Sequence, residues 1–363
     1  MSGLIDYQDL LRLTTDILLR GYGYNQKEAG ITATLLVEAD ARGIPSHGVS
    51  RLAFYRTNLD MGHCRPGSEP EVVWETPVSL VVDARAGVGC RAAEWCVERT
   101  MGLARKTGVA HCAVRNSNHY GIAGYWAELM AKNDMIGTAF TNTYIAGVPT
   151  FGSRRLLGTN PIAVAVPERG GRIFLLDMAT ATVSHGKVEL YDRRGKTMPR
   201  GWVVDESGEE TYDASSFERT FYQTSFGGHL YVGGAGEESG GHKGFGLALL
   251  VEILCSGLSM GASSLETYPK GGPGGITHYF SASRMDLFGD PGELKDRVGG
   301  ILETIRRSEK AGGRDRIFIH GEKEAEAREA SLRDGVFLDA ATKAYLASLA
   351  GRCGLGKTPG LEG

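Results

Sequence analysis

The chain has 363 residues, enough for two domains or for one large α/β domain with an appendage. Its hydrophobic content of 42% and charged content of 23% are ordinary for a soluble globular protein able to bury a sizeable core. A net charge of -3 lacks the basic excess of a nucleic-acid or anionic-membrane binder, so neither partner is expected.

The opening "MSGLIDYQDLLRLT" has no basic segment followed by an apolar core, so no signal peptide is expected and the compartment read is the cytoplasm. "DYQDLLRLTTDILLRGYG" places Leu10, Leu13, Ile17 and Leu18 on one face and predicts a helix stopping at Gly21. "NQKEAGITATLLVEADARG" predicts a second helix ending at Gly43. "PSHGVSRLAFYRTNLDMG" predicts a third, with Pro45 and Ser46 in its first turn and its end near Gly62. The cluster "CRPGSEPEV" then breaks the pattern.

Beyond it "VSLVVDA", "VAHCAV", "IGTAFTNT", "PIAVAVP" and "RIFLLDMA" read as strands. Between them only "AAEWCVERTMGLARKTG" and "AGYWAELMAKND" read as helices. After a long glycine-rich connection, "GHKGFGLALLVEILCSGL" predicts a buried helix over 245–258; Glu252 and its glycines argue against a membrane span. After Phe280 the chain returns to charged amphipathic helices, "PGELKDRVGGILETIRRSEKA" and "EKEAEAREASLRDG". The expected organisation is a first helical part over 1–72, a central α/β domain over 73–284, and helices over 285–363 that pack with the first part. The fold class read is α/β (α+β).

Fifty-two glycines imply many tight turns and close backbone approaches. Six scattered cysteines form no C-x-x-C pair and read as reduced thiols, not as a disulfide framework or zinc site.

Three histidines stand in polar, glycine-flanked settings: His47 in "SHG", His119 in "NSNHYGIAG" and His242 in "GGHKG". Any one of them alone is as readily a hydrogen-bonded or surface side chain. On the predicted third helix His47 and Arg51 share a face, and Ser46 stands at its start. That pairing suits a 2-hydroxy or 2-oxo acid: the guanidinium grips the carboxylate while the imidazole handles the proton on the adjacent oxygen. A solvated charged face accounts for the same spacing. His119 follows a strand and precedes a turn into a helix, with Asn116 and Asn118 either as ligand contacts or as backbone-satisfying turn residues. The stretch "GEESGGHKGFG" looks like a phosphate loop, but a histidine precedes Lys243 and a glycine replaces the Mg²⁺-binding hydroxyl. No G-x-G-x-x-G, H-E-x-x-H or G-x-S-x-G occurs, so a Rossmann site, a metal centre and serine-hydrolase chemistry lack their usual marks.

In order along the chain, "EADARGIPSHGVSRL", "RNSNHYGIAGYW", "FTNT", "LGTNPIAVAVP", "DMATATVSHGKVELYDRRGKTMPRGWVVDESG", "GGHKGFGLALLVEIL" and "IHGEKE" resemble the type 2 malate/L-lactate dehydrogenase family. The resemblance implies a non-Rossmann NAD(P) site in a central, largely antiparallel or mixed sheet domain, a discontinuous helical domain from both chain ends, and a homodimer with its site near the subunit interface. It implies His47 or His119 as acid/base, Ser46 in support, and Arg51 on the carboxylate of a small-molecule substrate. The cofactor, NAD ahead of NADP, would lie along Thr143, Asp177, Met178, Ala179, His242, Lys243, Gly321 and Glu322, with Asn160, Thr277 and His278 completing the substrate pocket. The implied reaction is hydride transfer at C2 of a 2-hydroxy/2-oxo acid, with reduction of a cyclic imino acid as the alternative and a phosphate-loop nucleotide binder as a third reading. Two departures from the family pattern stand out: a long polar connection over 209–241, and His320 where relatives carry a proline.

Overall fold

The computed structural model describes residues 4–356 and 360. After a two-residue strand, β1 (Leu4–Ile5), helix α1 (Tyr7–Gly21) starts where the Asp6 carboxylate accepts the Gln8 and Asp9 N–H groups. Helix α2 (Gln26–Ala41) opens on a reciprocal cap between Asn25 and Glu28. The predicted third helix is not one helix. Residues Pro45–His47 and Val49–Arg51 form two separate 3₁₀ turns, and α3 begins only at Leu52 and ends at Asp60. Gly48 makes the break, with extended backbone at φ -81° and ψ -161°. Its Cα packs so closely on Asp40 that a Cβ would stand 1.9 Å from Oδ1.

The central sheet has seven strands: β2 (Glu71–Thr76), β3 (Ser79–Asp83), β4 (Val109–Ser117), β5 (Met135–Thr141), β6 (Ile162–Pro167), β7 (Ile173–Met178) and β10 (Ile276–Arg284), in the order β2-β3-β4-β10-β5-β6-β7. Only β3 and β4 run parallel, so the sheet is mixed and largely antiparallel, as expected. Two strands lie outside the sequence reading: β2, which forms a hairpin with β3, and β10, which fills the middle of the sheet. Helices α4 (Gly89–Thr107) and α5 (Ala123–Ala131) cover one face. Trp126, Val97, Leu80 and Phe280 belong to one continuous core that also takes in Leu10 and Leu36 from the first helices and Leu346 from the last.

The connection after β7 builds a small lobe with its own core, centred on Val188, Trp202, Phe217 and Phe221. It contains α6 (His185–Arg193), β8 (Val203–Val204), α7 (Ala214–Phe221) and β9 (Gly228–His229). Helix α8 (Gly241–Glu252) then runs into a wider π-turn over Ile253–Gly257. The expectation of a buried helix over 245–258 is corrected here: Leu247, Leu249, Leu250, Ile253 and Leu258 are all exposed. The chain ends through α9 (Pro291–Arg307), α10 (Glu322–Asp334), β11 (Val336–Phe337), which pairs with β1, and α11 (Ala340–Arg352). Among the described residues no helix is long and apolar enough to cross a membrane.

Candidate active site

The two short turns over residues 45–51 hold three of the predicted residues against a fourth. The rings of His47 and His119 stack with centroids 5.4 Å apart and planes 26° from parallel. Ser46 Oγ lies 3.1 Å from His47 Nδ1, and Arg51 Nε donates to the Ser46 carbonyl. His47 and Arg51 do converge, but not through the i,i+4 face of a continuous helix. Folding of the turn around Gly48 brings them together. The turn is anchored from beneath, where Asp40 Oδ2 accepts the Val49 N–H at 2.7 Å. Burial is the main reason the Asp40 carboxyl is raised to about 7; the Val49 hydrogen bond opposes the shift and Asp339 adds to it.

His119 stands just after β4. Its Nδ1 lies 2.9 Å from Tyr55 Oη and accepts the Gly121 N–H at 3.3 Å. An Nδ1 that accepts an amide hydrogen carries no proton in the neutral ring, so the proton sits on Nε2. Neither partner is marked in the sequence: Tyr55 falls at an ordinary core position of α3, and Gly121 is one glycine among many. Both imidazoles keep an edge open to the surface. The protein packed around them nonetheless favours the uncharged ring, which an open edge alone does not offset. His47 is lowered to about 4, by burial first and then by the Arg51 charge. His119 is lowered well below the usual imidazole range by burial, then by His47, Arg51 and His278. The structure thus presents two neutral imidazoles beside a guanidinium.

Asn116 lies near the end of β4, and Asn118 lies just past it. Asn116 has φ +53° and bonds Asp83, and Asn118 Nδ2 donates to the carbonyls of His63, Ala86 and Gly87.

A cleft beside this cluster is lined by Arg42, Ile122, Gly124, Asp177, Gly321 and Lys323. Asp177, at the end of β7, opens onto it. Its Oδ2 accepts the Gly124 N–H in the first turn of α5 at 2.8 Å, and Oδ1 accepts nothing from the described residues. The cleft walls raise the Asp177 carboxyl to about 6, chiefly by burial, against the pull of the Gly124 hydrogen bond. Two glycines keep the walls clear of side chains. A Cβ on Gly124 would meet Asp177 Oδ2 at 2.5 Å, and one on Gly321, with φ +93°, would meet Leu175 Cβ at 2.9 Å. Met178 and Ala179 continue from Asp177 and are partly buried. The Glu322 carboxylate is held by Arg306, Arg316 and the Ile319 N–H at 2.6, 3.0 and 3.0 Å. Arg42 and Lys323 also line the cleft; they stand inside the stretches "EADARGIPSHGVSRL" and "IHGEKE" but are not among the predicted site residues.

Other predicted residues form a tight internal knot. Thr143 Oγ1 accepts the Thr159 N–H at 2.9 Å, and Thr180 donates to the Thr159 carbonyl. Asn160, at φ +37°, bonds Ala248 and Glu252 through Nδ2 and leaves Oδ1 buried without a partner. Thr277 Oγ1 lies 3.0 Å from Ser256 Oγ. His278 is fully buried against Tyr120, with its nitrogens 2.8 Å from Thr141 and Ser117 hydroxyls. Thr277 and His278 side chains are therefore satisfied inside the protein. His242 and Lys243 are exposed in the first turn of α8. That turn sits tightly on the preceding loop: Cβ atoms on Gly241 and Gly244 would stand 1.9 Å from Gly234 O and 2.2 Å from Val232 O. No strand leads directly into it, unlike a phosphate loop.

Residues 5–347 match the family model described as malate/L-lactate dehydrogenase. A malate dehydrogenase of Pyrococcus abyssi is 40% identical over 326 residues, which is 88% of this chain and 86% of that protein. An L-sulfolactate dehydrogenase of Methanocaldococcus jannaschii is 35% identical over 335 residues, covering 90% of this chain and 91% of the relative. The crystal structure of a malate dehydrogenase from Entamoeba histolytica superposes with a TM-score of 0.92 at 30% identity, over 98% of this chain and 99% of the other. The chain belongs to the malate/L-lactate dehydrogenase family.

Proposed function

We propose that this chain is an NAD(P)-dependent oxidoreductase that interconverts a small 2-hydroxy acid and its 2-oxo acid. The observation that carries the proposal is the pair of neutral imidazoles, His47 and His119, set beside Arg51. His119, with Nδ1 occupied by Gly121, offers its Nε2–H to the substrate oxygen and polarises it. His47 is the proton-transfer group. In the tautomer whose Nδ1–H donates to Ser46 Oγ, 3.1 Å away, its Nε2 is bare; there it takes the hydroxyl proton on oxidation and returns it on reduction. Arg51 spends Nε on the Ser46 carbonyl, which leaves its two terminal nitrogens for the substrate carboxylate.

The cleft fits a nicotinamide dinucleotide: side-chain-free walls at Gly124 and Gly321 admit a flat ring, and Asp177 Oδ1 is an unspent acceptor. Asp177, Met178 and Ala179 would hold it, with Thr143, His242 and Lys243 further along. When bound, it supplies or accepts the hydride at C2.

The enzyme acts as a homodimer. Leu247 and Leu250 of α8 and Ile253 of the π-turn that follows lie at helical spacing on an exposed apolar stripe, and a second copy covering that stripe accounts for it. Light scattering at twice the chain mass tests this.

The decisive assay follows NADH and NADPH consumption with oxaloacetate, pyruvate, sulfopyruvate and piperideine-2-carboxylate. Turnover of a 2-oxo acid at least tenfold above the imine supports the proposal. Turnover of the imine alone overturns it in favour of C=N reduction.

A further inference from the structure

The small lobe places a histidine and two carboxylates together, although no metal motif occurs in the sequence. His185 begins α6, Glu189 lies one turn later on the same helix, and Glu218 comes from α7. His185 Nε2 is 3.4 Å from Glu218 Oε2 and 3.9 Å from Glu189 Oε1, and the Tyr222 hydroxyl is 3.0 Å from the same nitrogen. Ligand atoms about 2.0–2.2 Å from a tetrahedral ion stand roughly 3.4 Å from one another; the His185–Glu218 pair has that separation, and all three ligand atoms lie within 4.8 Å of one another.

Two further features concern partners that the protein does not supply. Glu218 Oε1 is buried and bonded to nothing. On the far side of His185, Nδ1 lies 3.1 Å from Nε2 of His229, a ring with no solvent exposure and an unpartnered Nδ1. The contact between His185 Nδ1 and His229 Nε2 orients the His185 ring and turns its Nε2 towards Glu218 and Glu189. A cation held among His185 Nε2 and the two carboxylates would offset their negative charge and take the place of the Tyr222 hydroxyl at that nitrogen. Donation of the second ring N–H to a buried acceptor is also the usual orienting contact of a metal-bound histidine.

We propose that His185, Glu189 and Glu218 form a binding site for one divalent transition-metal ion, zinc by its nitrogen and oxygen donors, with His229 positioning the His185 ring. The ion clips α6 to α7 and so closes the lobe. The segment 177–183 runs from the cofactor cleft directly into α6, so the clip also steadies one wall of the cleft.

The test uses the full chain stripped with a chelator and dialysed. Zn²⁺ is titrated calorimetrically, Co²⁺ uptake is followed by visible absorption, and unfolding midpoints are recorded with and without Zn²⁺. The expected result is one equivalent per chain and a midpoint that climbs with free zinc. Both responses should be lost in His185→Gln and Glu218→Gln and weakened in Glu189→Gln, whose side chain is partly exposed on α6. Metal-free midpoints and oxidoreductase turnover should stay near those of the parent. The proposal is overturned if the parent chain takes up no zinc, since the cluster is then no more than a side-chain contact between α6 and α7. It is equally overturned if uptake survives in Glu189→Gln and Glu218→Gln alike, which would place the ion elsewhere. The wild-type titration decides the matter even if a variant fails to fold.

Discussion

Replacing Gly48 with alanine tests how the catalytic turn is built. The φ of -81° is open to any residue, so the penalty is purely steric. The new methyl would lie 1.9, 2.2 and 2.4 Å from Oδ1, Cγ and Oδ2 of Asp40. Those atoms cannot simply swing aside, because Oδ2 holds the Val49 N–H and the side chain, projecting from α2, is buried. Overpacking costs about 1–3 kcal/mol, and a stranded Val49 N–H about 1–3 more. Gly48→Ala should therefore lose about 2–6 kcal/mol and several degrees of thermal midpoint. Turnover should fall at least tenfold as His47 leaves its place. Asp40→Ala in the same chain removes the clash, so the double variant should be more stable than the two single losses sum to. Gly30, inside α2, provides the contrast, because a methyl added there would meet nothing within 4 Å; Gly30→Ala should gain about 0.5–1 kcal/mol. Calorimetric melting and steady-state kinetics read both. A Gly48→Ala protein with the parental midpoint and turnover would refute the account of the turn.

The raised Asp40 binds a proton in the folded chain that it gives up when unfolded between its ordinary value of 3.8 and about 7. Its stabilising contribution is full below that window and is lost as pH rises through it, so Asp40→Asn should flatten the midpoint's dependence on pH there. His47, lowered to about 4, should leave the rate of hydroxy-acid oxidation level as pH falls through 6.5, with the loss coming only near the lower value. His47→Gln should cut turnover by about 10²–10⁴ while cofactor affinity, read by fluorescence titration, stays near parental. Gly124→Ala should do the reverse, raising the cofactor's KM with a smaller effect on kcat, because its methyl displaces the Asp177 carboxylate.

Much of this is legible along the chain, and the exceptions have physical causes. The first two helices announce themselves through caps and periodic leucines, and five strands through apolar runs between turns. The break at Gly48 is hidden because Leu52 and Tyr55 continue a helical rhythm, while the carboxylate that forbids a side chain there comes from α2. Strand β10 escapes a reading of apolar runs because it buries Thr277 and His278, polar residues whose partners lie on β4 and β5 and in the turn after α8. Helix α8 reads as buried because it is apolar all round, yet only part of its surface meets its own chain. In the site, the short motifs mark His47, His119 and Asp177. Tyr55 and Gly121, which set the His119 tautomer, carry no signal of their own, because what matters is where their hydrogens point.

The late arrival of β10 has a consequence for how the molecule is made. Residues 276–284 enter between β4 and β5, both of which leave the ribosome long before them. Until then the two older strands present bare edges to each other and to any passing chain. The sheet cannot zip progressively from the N-terminus; it waits on a distant segment and then closes in one late step. A nascent or truncated chain that stops short of Arg284 is an aggregation hazard, whatever the quality of its finished core.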